Sequence, residues 1–138
     1  MIRLQPYQRQ QDARGSFLGI TKDSWHEVNL VSTAAGAVRG NHFHRHTREM
    51  FCILSGQVTI DLEDVRTSAR STFEAGPGAL FVVEPFERHT FSARTDCTWL
   101  NFLSHPFDAA DPDFHQHHAG TVVDTDSGGH AHATKVAP

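Results

Sequence analysis

Residues 36–56 read GAVRGNHFHRHTREMFCILSG and contain a His-x-His pair followed by a glutamate. In an extended strand, residues two apart point to the same face, so His42 and His44 are predicted to project into one space. Glu49 arrives at the start of the next predicted strand. Imidazole nitrogens and a carboxylate oxygen together suit zinc, nickel, iron or manganese. The stretch therefore predicts a divalent metal site, with His89 on a neighbouring strand as the candidate fourth ligand.

The chain contains short runs rich in β-branched and aromatic residues, separated by turn formers. The predicted strands are residues 27–32, 50–55, 57–62, 79–84, 89–92 and 98–103. No apolar repeat at helical spacing persists long enough to indicate a helix bundle. We therefore predict an all-β antiparallel sandwich or barrel.

The composition limits the classes of function. The chain has 138 residues, of which 38% are hydrophobic, enough for one compact domain. A net charge of −4 gives no broad basic surface for nucleic acid, and no apolar run reaches the roughly 18 residues that span a membrane. The first residues lack the apolar core of a secretory signal, so we expect a cytoplasmic protein. Two cysteines do not make a disulfide framework.

Charge divides the chain into two parts. Residues 1–107 carry eleven basic and eleven acidic side chains, whereas residues 108–138 carry Lys135 against five aspartates. We predict a barrel over 1–107 and an acidic, His-rich C-terminal tail over 108–138. The last part of this tail, 119–138, is expected to be flexible because it has few large apolar residues. A short helical turn is expected near 111–114, since Asp before Pro suits a helix start.

The spacing in the opening stretch resembles the first motif of the cupin family. That motif runs Gly, five residues, His-x-His, three or four residues, Glu, six residues, Gly, and it is met by Gly36, His42, His44, Glu49 and Gly56. The family's second motif is met by Gly78, Pro85 and His89, but Glu87 stands where glycine is usual and the Pro-to-His interval is one residue short. The resemblance implies a double-stranded β-helix, or jelly-roll barrel, with the metal inside.

Two segments also resemble the dTDP-4-dehydrorhamnose 3,5-epimerases. Residues 12–17, DARGSF, match an Asp-x-Arg-Gly-x-Phe segment near the start of that family. Its Asn-x6-Gly-x-x-Arg-Gly-x-His segment is met by Asn29, Gly36, Arg39, Gly40 and His42. The resemblance implies substrate binding by Arg14, Arg39 and Asn29, because arginine suits the oxyanions of a nucleotide diphosphate.

The same family differs from this chain at its catalytic positions. Those enzymes are metal-free and use the histidine of Arg-Gly-x-His as a base, with a lysine and a tyrosine. Here Glu49 occupies the lysine position, His44 replaces a glutamine, and Asn101 and Phe102 stand near the tyrosine position. Phenylalanine has no proton to donate, and a metal-bound His42 lacks the free lone pair of a base. An unmodified epimerase chemistry is therefore not expected.

A metal-bearing branch matches better. The segment 39–44 followed by Glu49 is similar to the metal-binding cupin domain of capsular-polysaccharide enzymes that act on UDP-4-keto sugars. This implies a metal-dependent epimerase or isomerase of a 4-keto nucleotide sugar, in synthesis of a cell-surface polysaccharide or glycosylated metabolite. The candidate catalytic base is His46, with Glu87 or Glu84 behind it. The sugar 3,4-ketoisomerases lack the glutamate position and are a more distant match.

Two other functions remain open on the sequence. An iron cupin of the dioxygenase or lyase type would use the same four ligands and leave positions for O2 and substrate. A non-catalytic barrel would bind a metal or small ligand without turnover. In each case a strand near residues 3–7 is a plausible element to dock between subunits, so we expect a homodimer.

Overall fold

The computed structural model describes residues 1–116, which form eleven β-strands and no helix. Within this range there is accordingly no helix long and apolar enough to cross a bilayer. The strands are β1 (Ile2–Leu4), β2 (Gln8–Asp12), β3 (Gly15–Gly19), β4 (Glu27–Thr33), β5 (Val38–His42), β6 (Glu49–Ser55), β7 (Val58–Asp64), β8 (Arg70–Ala75), β9 (Leu80–Val83), β10 (Glu87–Ala93) and β11 (Cys97–Leu103).

Two antiparallel sheets face each other to form the barrel. One sheet has the order β1-β9-β6-β11-β4, and the other has the order β5-β10-β7-β8. A separate hairpin pairs β2 with β3. This jelly-roll arrangement confirms the predicted all-β cupin fold. It also places β4 and β5 at the edges of their sheets, and the candidate ligands lie on β5, β6 and β10 or beside them.

The space between the sheets holds the main hydrophobic core. Phe51, Phe81, Phe91 and Trp99 are each at most 5% exposed and pack with aliphatic side chains from both sheets. Side chains alternate between the two faces of a strand, so the opposite face of the five-stranded sheet buries a second cluster, which includes Met50. Burial on both faces explains why β6 reads as a continuous apolar run.

The six predicted strands are all present within one or two residues of their predicted bounds. The predicted N-terminal strand is shorter, Ile2–Leu4, and pairs with β9 of its own chain. The expected helical turn at 111–114 is wrong: these residues form a bend and irregular backbone, and the carboxylate of Asp113 binds a loop of the barrel instead of capping a helix.

The chain after β11 stays against the barrel as far as it is described. The Ser104 N–H donates to the Arg48 carbonyl (3.0 Å), and the Phe107 N–H donates to the Glu27 carboxylate (3.0 Å). His115 forms a two-way backbone bridge with Phe43. Residues 104–116 therefore pack on the barrel, and they include the first part of the tail predicted over 108–138. Residues 119–138, predicted to be flexible, lie outside the described residues.

Candidate metal centre

A β-bulge in β5 sets His42 directly opposite His89. His89 pairs with His42, and Thr90 pairs with Gly40, so Asn41 is the extra residue between them. Gly40 and Asn41 both have positive φ, +83° and +59°. The strand β5 ends at His42, and His44 lies beyond it. Phe43, between the two histidines, is in a β-bridge with His115, so the chain stays extended here, and His42 and His44 lie on one side with ring centroids 5.0 Å apart, as the predicted strand alternation requires.

The other two ligands come from the strand ends nearest this bulge. Glu49 is the first residue of β6, and His89 lies in β10 opposite His42. The turn before β10 has Phe86 at a φ of +68°, with the Glu87 N–H donating to the Glu84 carbonyl (3.2 Å). A turn of this kind usually has glycine at the position of Phe86.

The Phe86 turn is held by contacts to the neighbouring loop. Its N–H donates to the carbonyl of His44 (2.7 Å), and its ring stacks on Phe43 with centroids 6.3 Å apart. The carboxylate of Glu87 accepts the Glu84 N–H (2.8 Å) and pairs with the N-terminal ammonium. Together these contacts position His89 although the second cupin motif is imperfect.

The four predicted ligands form one tight cluster. Each of His42, His44, Glu49 and His89 offers one atom, and these atoms all lie within 4.8 Å of one another. Glu49 Oε2 lies 3.0 Å from His44 Nε2 and 2.9 Å from His89 Nε2. Glu49 is 5% exposed, and the two histidines are 4% and 2% exposed. The structure thus places side by side the residues that the sequence separates by up to 47 positions.

Backbone contacts fix the orientation of the histidine rings. The Nδ1–H of His44 donates to the Asp113 carbonyl (2.5 Å), and that of His89 donates to the Glu87 carbonyl (3.2 Å). A carbonyl only accepts, so Nδ1 carries the hydrogen in His44 and His89. A neutral imidazole of this tautomer has its Nε2 lone pair free, which is the arrangement that metal-binding histidines have.

The cluster is electrostatically coupled. Burial, together with neighbouring His89, lowers the pKa of His42 to about 3, so this ring is neutral at physiological pH. Burial alone would raise the pKa of Glu49, but the imidazoles of His89 and His44 outweigh it and hold that pKa well below its ordinary value. The same contact raises the pKa of His44 despite its burial.

The residues present fit a divalent metal. His42 Nε2, His44 Nε2 and Glu49 Oε2 are buried and make no hydrogen bond, although the last two are only 3.0 Å apart. Buried polar atoms without partners are rare in proteins. Lone pairs of imidazole and carboxylate that face one another repel unless a cation lies between them. Three nitrogens and one carboxylate oxygen suit zinc, iron, manganese or nickel.

The segment 104–116 completes this centre. The carboxylate of Asp113 accepts the N–H groups of Arg45 (2.8 Å), His46 (2.9 Å) and Thr47 (2.9 Å). Burial opposes ionisation of Asp113, but these three donors lower its pKa. Since its carbonyl also holds His44, Asp113 fixes both the ligand and the loop that leads to Glu49. Sequence reasoning missed this residue because it lies in the predicted tail, 69 residues from His44.

Two cavities are lined by both His42 and Glu49. One, of about 50 Å³, is lined by Arg39, Val31 and Trp99 together with His42, Glu49 and His89. A cavity of about 270 Å³ is lined by Glu27, Asn29, His42, Glu49, Asn101, Leu103, Phe107 and Phe114. Asn101 donates to Glu49 Oε1 (3.2 Å), so the other carboxylate oxygen is the one turned to the histidines.

The structure brings two of the three predicted substrate residues to these cavities. Arg39 donates to Thr33 Oγ1 (2.7 Å) and the Ser32 carbonyl (3.0 Å), and Asn29 donates to Glu27 (2.9 Å). Arg14 lies in the β2–β3 turn, pairs with Asp12 (2.6 Å) and does not line either cavity.

The predicted base His46 also lies away from these cavities. It is exposed in the loop after His44, where its N–H is bound by Asp113. Its side chain lines a third cavity of about 320 Å³, which His44, His105 and Asp111 also line.

A family model described as the polysaccharide biosynthesis C-terminal domain matches residues 10–115. The chain belongs to this family. The match covers β3 to β11 and extends through Asp113, so most of the segment that contacts the cluster is part of the domain. A search of curated protein sequences found no match to this chain.

Solved structures similar to this polysaccharide biosynthesis domain share its fold at low identity. The capsular polysaccharide assembling protein CapF from Staphylococcus aureus is 23% identical, with a TM-score of 0.63 over 79% of this chain and 32% of that one. A dTDP-4-dehydrorhamnose 3,5-epimerase from Sulfolobus tokodaii is 21% identical, with a TM-score of 0.65 over 74% and 69%.

The QdtA 3,4-ketoisomerase from Thermoanaerobacterium thermosaccharolyticum, solved with TDP, is 19% identical, with a TM-score of 0.69 over 81% of this chain and 84% of that one. These likenesses confirm the cupin fold. The polysaccharide biosynthesis domain spans about a third of the length of CapF.

Replacing Gly40 by alanine tests whether the bulge positions the ligands. A Cβ there would lie 2.6 Å from the His89 carbonyl oxygen. Gly36→Ala is the matched control, because Gly36 has nearly the same φ, +82°, with nothing within 4 Å. We expect Gly36→Ala to cost about 1–2 kcal/mol of unfolding free energy and leave zinc affinity unchanged. Gly40→Ala should in addition weaken zinc binding at least about tenfold. Equal zinc affinities in a chelator competition would contradict this role.

Asp113→Ala tests the contribution of the segment 104–116. It removes the charged acceptor of three loop N–H groups, and each such bond contributes about 1.5–3 kcal/mol where water does not replace it. We expect a lower melting temperature and zinc affinity reduced by about 10–100-fold. Exposed Asp111 provides the control variant, Asp111→Ala, which removes the same charge from the same segment. If both variants bind zinc as the wild type does, Asp113 does not position His44.

Proposed function

We propose that this domain is a metal-dependent epimerase or isomerase that acts on a 4-keto nucleotide sugar in polysaccharide or glycosylated-metabolite biosynthesis. The observation that carries the proposal is the buried cluster of His42, His44, Glu49 and His89 at the wall of a cavity. The family to which the chain belongs, and the sugar-modifying proteins whose fold it shares, support the same class of substrate.

The four clustered residues would hold the metal. A zinc, nickel, iron or manganese ion bound there would supply Lewis-acid polarisation of a ketone oxygen, which lowers the cost of removing a proton from the adjacent carbon. Asn101 keeps Glu49 in place through its second oxygen. The aromatic walls, Phe51, Phe91 and Trp99, limit access of water to the cluster and thereby strengthen its electrostatic effect.

Arg39 and Asn29 are proposed to contact the substrate. Arg39 faces the inner cavity with its guanidinium fixed by Thr33 and Ser32, and a fixed guanidinium suits a diphosphate oxygen. Asn29 lines the larger cavity beside Glu27. Arg14 and His46 stay predictions from the sequence alone, since neither lies at these cavities.

We also propose that the protein is a homodimer. The edge strand β4 carries Leu30 and Val28, which are 68% and 54% exposed, on the outer face of the five-stranded sheet. An edge strand with exposed apolar side chains is a ready site for pairing with another chain. The cytoplasmic location expected from the N-terminal sequence stays a prediction.

The metal content of the purified protein provides a first test. We expect about one divalent metal ion per chain, bound by three histidines and a glutamate. His89→Ala should lose most of this metal after dialysis against a weak chelator, whereas the exposed His26→Ala should retain it. Metal analysis by mass spectrometry measures both. Retention of the full metal content by His89→Ala would place the metal elsewhere on the chain.

Proton exchange tests the reaction itself. Incubation with UDP- or dTDP-linked 4-keto-6-deoxy sugars in D2O should place deuterium at C3, because the carbon beside a polarised ketone loses its proton reversibly. Removal of the metal should abolish the exchange, and its return should restore it. Nuclear magnetic resonance and mass spectrometry of the recovered sugar nucleotide measure the label. Oxygen uptake without exchange would indicate a dioxygenase, and tight ligand retention without turnover would indicate a binding module.

A further inference from the structure

One carboxylate outside the metal cluster lies in the same row of the sheet as Glu49. Leu103 on β11 pairs with Glu27 on β4 and with Glu49 on β6. Residues directly opposite each other in neighbouring strands point to the same face, so both glutamates face the interior. Strands lie about 4.8 Å apart, which places the two Cα atoms roughly 10 Å from each other. The two side chains thus flank a space on one face of the sheet.

That space is the cavity lined by both Glu27 and Glu49. Its volume, about 270 Å³, is near the lower end of the range for small-molecule sites, about 300–1,000 Å³. Among the described residues that line it, Glu27 is the one acid–base side chain that does not belong to the metal cluster. A ligand in this cavity would therefore lie between the cluster and Glu27.

The carboxylate of Glu27 is held in place by two donors. The backbone N–H of Phe107 donates to Oε1 (3.0 Å), and the side-chain amide of Asn29 donates to Oε2 (2.9 Å). An ionised carboxylate has about four lone-pair sites, so each oxygen keeps an acceptor site for a proton. A fixed carboxylate with remaining acceptor capacity meets the geometric requirement for a general base.

Other candidate bases are engaged away from this cavity. Glu84 pairs with Arg48 (2.9 Å), and Glu87 pairs with the N-terminal ammonium. His46 is exposed and lines the adjacent cavity, next to His44, and does not line the cavity that Glu27 and Glu49 share. His42 belongs to the metal cluster, so its Nε2 lone pair is not available while a metal is bound.

We propose that Glu27 is the general base that removes the substrate proton at C3, an inference that rests on the proposed function. The Glu27 carboxylate takes the C3 proton, and the C3–H electron pair becomes the C3–C4 double bond. The former C4–O π pair moves to the ketone oxygen. Return of a proton to C3 reverses these changes and restores the ketone, so neither an oxidant nor a reductant is required.

The test compares wild type, Glu27→Gln and Glu74→Gln for deuterium entry at C3 of dTDP- and UDP-linked 4-keto-6-deoxy sugars in D2O. Glu74 is an exposed carboxylate on β8 and provides the matched control. We expect Glu27→Gln to lose about 10²–10⁴-fold in exchange rate, the usual contribution of a general base. Metal content, melting temperature and TDP affinity should equal those of the wild type, and Glu74→Gln should exchange normally. Glu27→Asp should regain part of the rate.

The outcomes separate this inference from the proposed function. Exchange by the wild type and by Glu27→Gln at equal rates would overturn the role of Glu27 and leave the proposed function standing. A Glu27→Gln protein with reduced metal content or a lowered melting temperature would show that Glu27 supports the shape of the site, and would also overturn it. No exchange by the metal-loaded wild type would remove the proposed function, and the role of Glu27 with it.

Discussion

The buried carboxylate of Glu49 is the constraint on which the rest of the site depends. An ionised carboxylate in an apolar interior costs several kcal/mol unless a cation and hydrogen bonds compensate it. Glu49 lies among Phe51, Asn101 and the three imidazoles of the cluster. Its Oε1 accepts a hydrogen bond from the Asn101 amide, and its Oε2 faces the rings of His44 and His89. A proton on His44 can supply the positive charge, in keeping with its raised pKa. A divalent metal supplies it more completely and displaces such protons.

The unusual backbone of the domain follows from the need to bring the rings to that carboxylate. Gly40 and Asn41 adopt positive φ at the bulge, and Phe86 does so in the turn before β10. Strained conformations of this kind persist when the surrounding structure holds them, and they occur often at functional sites. Here the His44 carbonyl accepts the Phe86 N–H, while Asp113 holds the other side of the same histidine. The barrel positions the ligands, and the segment 104–116 secures them.

The sequence predicted the inner strands well and the outer elements poorly, and the four residues that it singled out as candidate ligands lie together in the structure. β6 and β11 are buried runs of mostly apolar residues, and such runs can be recognised in the sequence alone. β2 reads QRQQD and is exposed along its whole length, so its pairing with β3 comes from the turn between them and has no hydrophobic signal. Asp113 contacts His44 across 69 residues of chain, and Glu27 comes level with Glu49 because both pair with Leu103 of β11. Such contacts depend on which strands are neighbours, and local sequence patterns do not contain that information.

The two glutamates of one sheet row show how environment assigns different chemistry to the same side chain. Glu49 faces three imidazoles, whereas Glu27 is held by an amide and a backbone N–H, both uncharged. Carboxylates in surroundings this different can take different chemical roles. In the metal-free epimerases that the chain resembles, a lysine stands at the position of Glu49 and contributes one positive charge. Glu49 together with a divalent ion would also carry one positive charge. The electrostatic field at a substrate ketone would therefore have the same sign in both proteins, although glutamate and lysine have opposite charges.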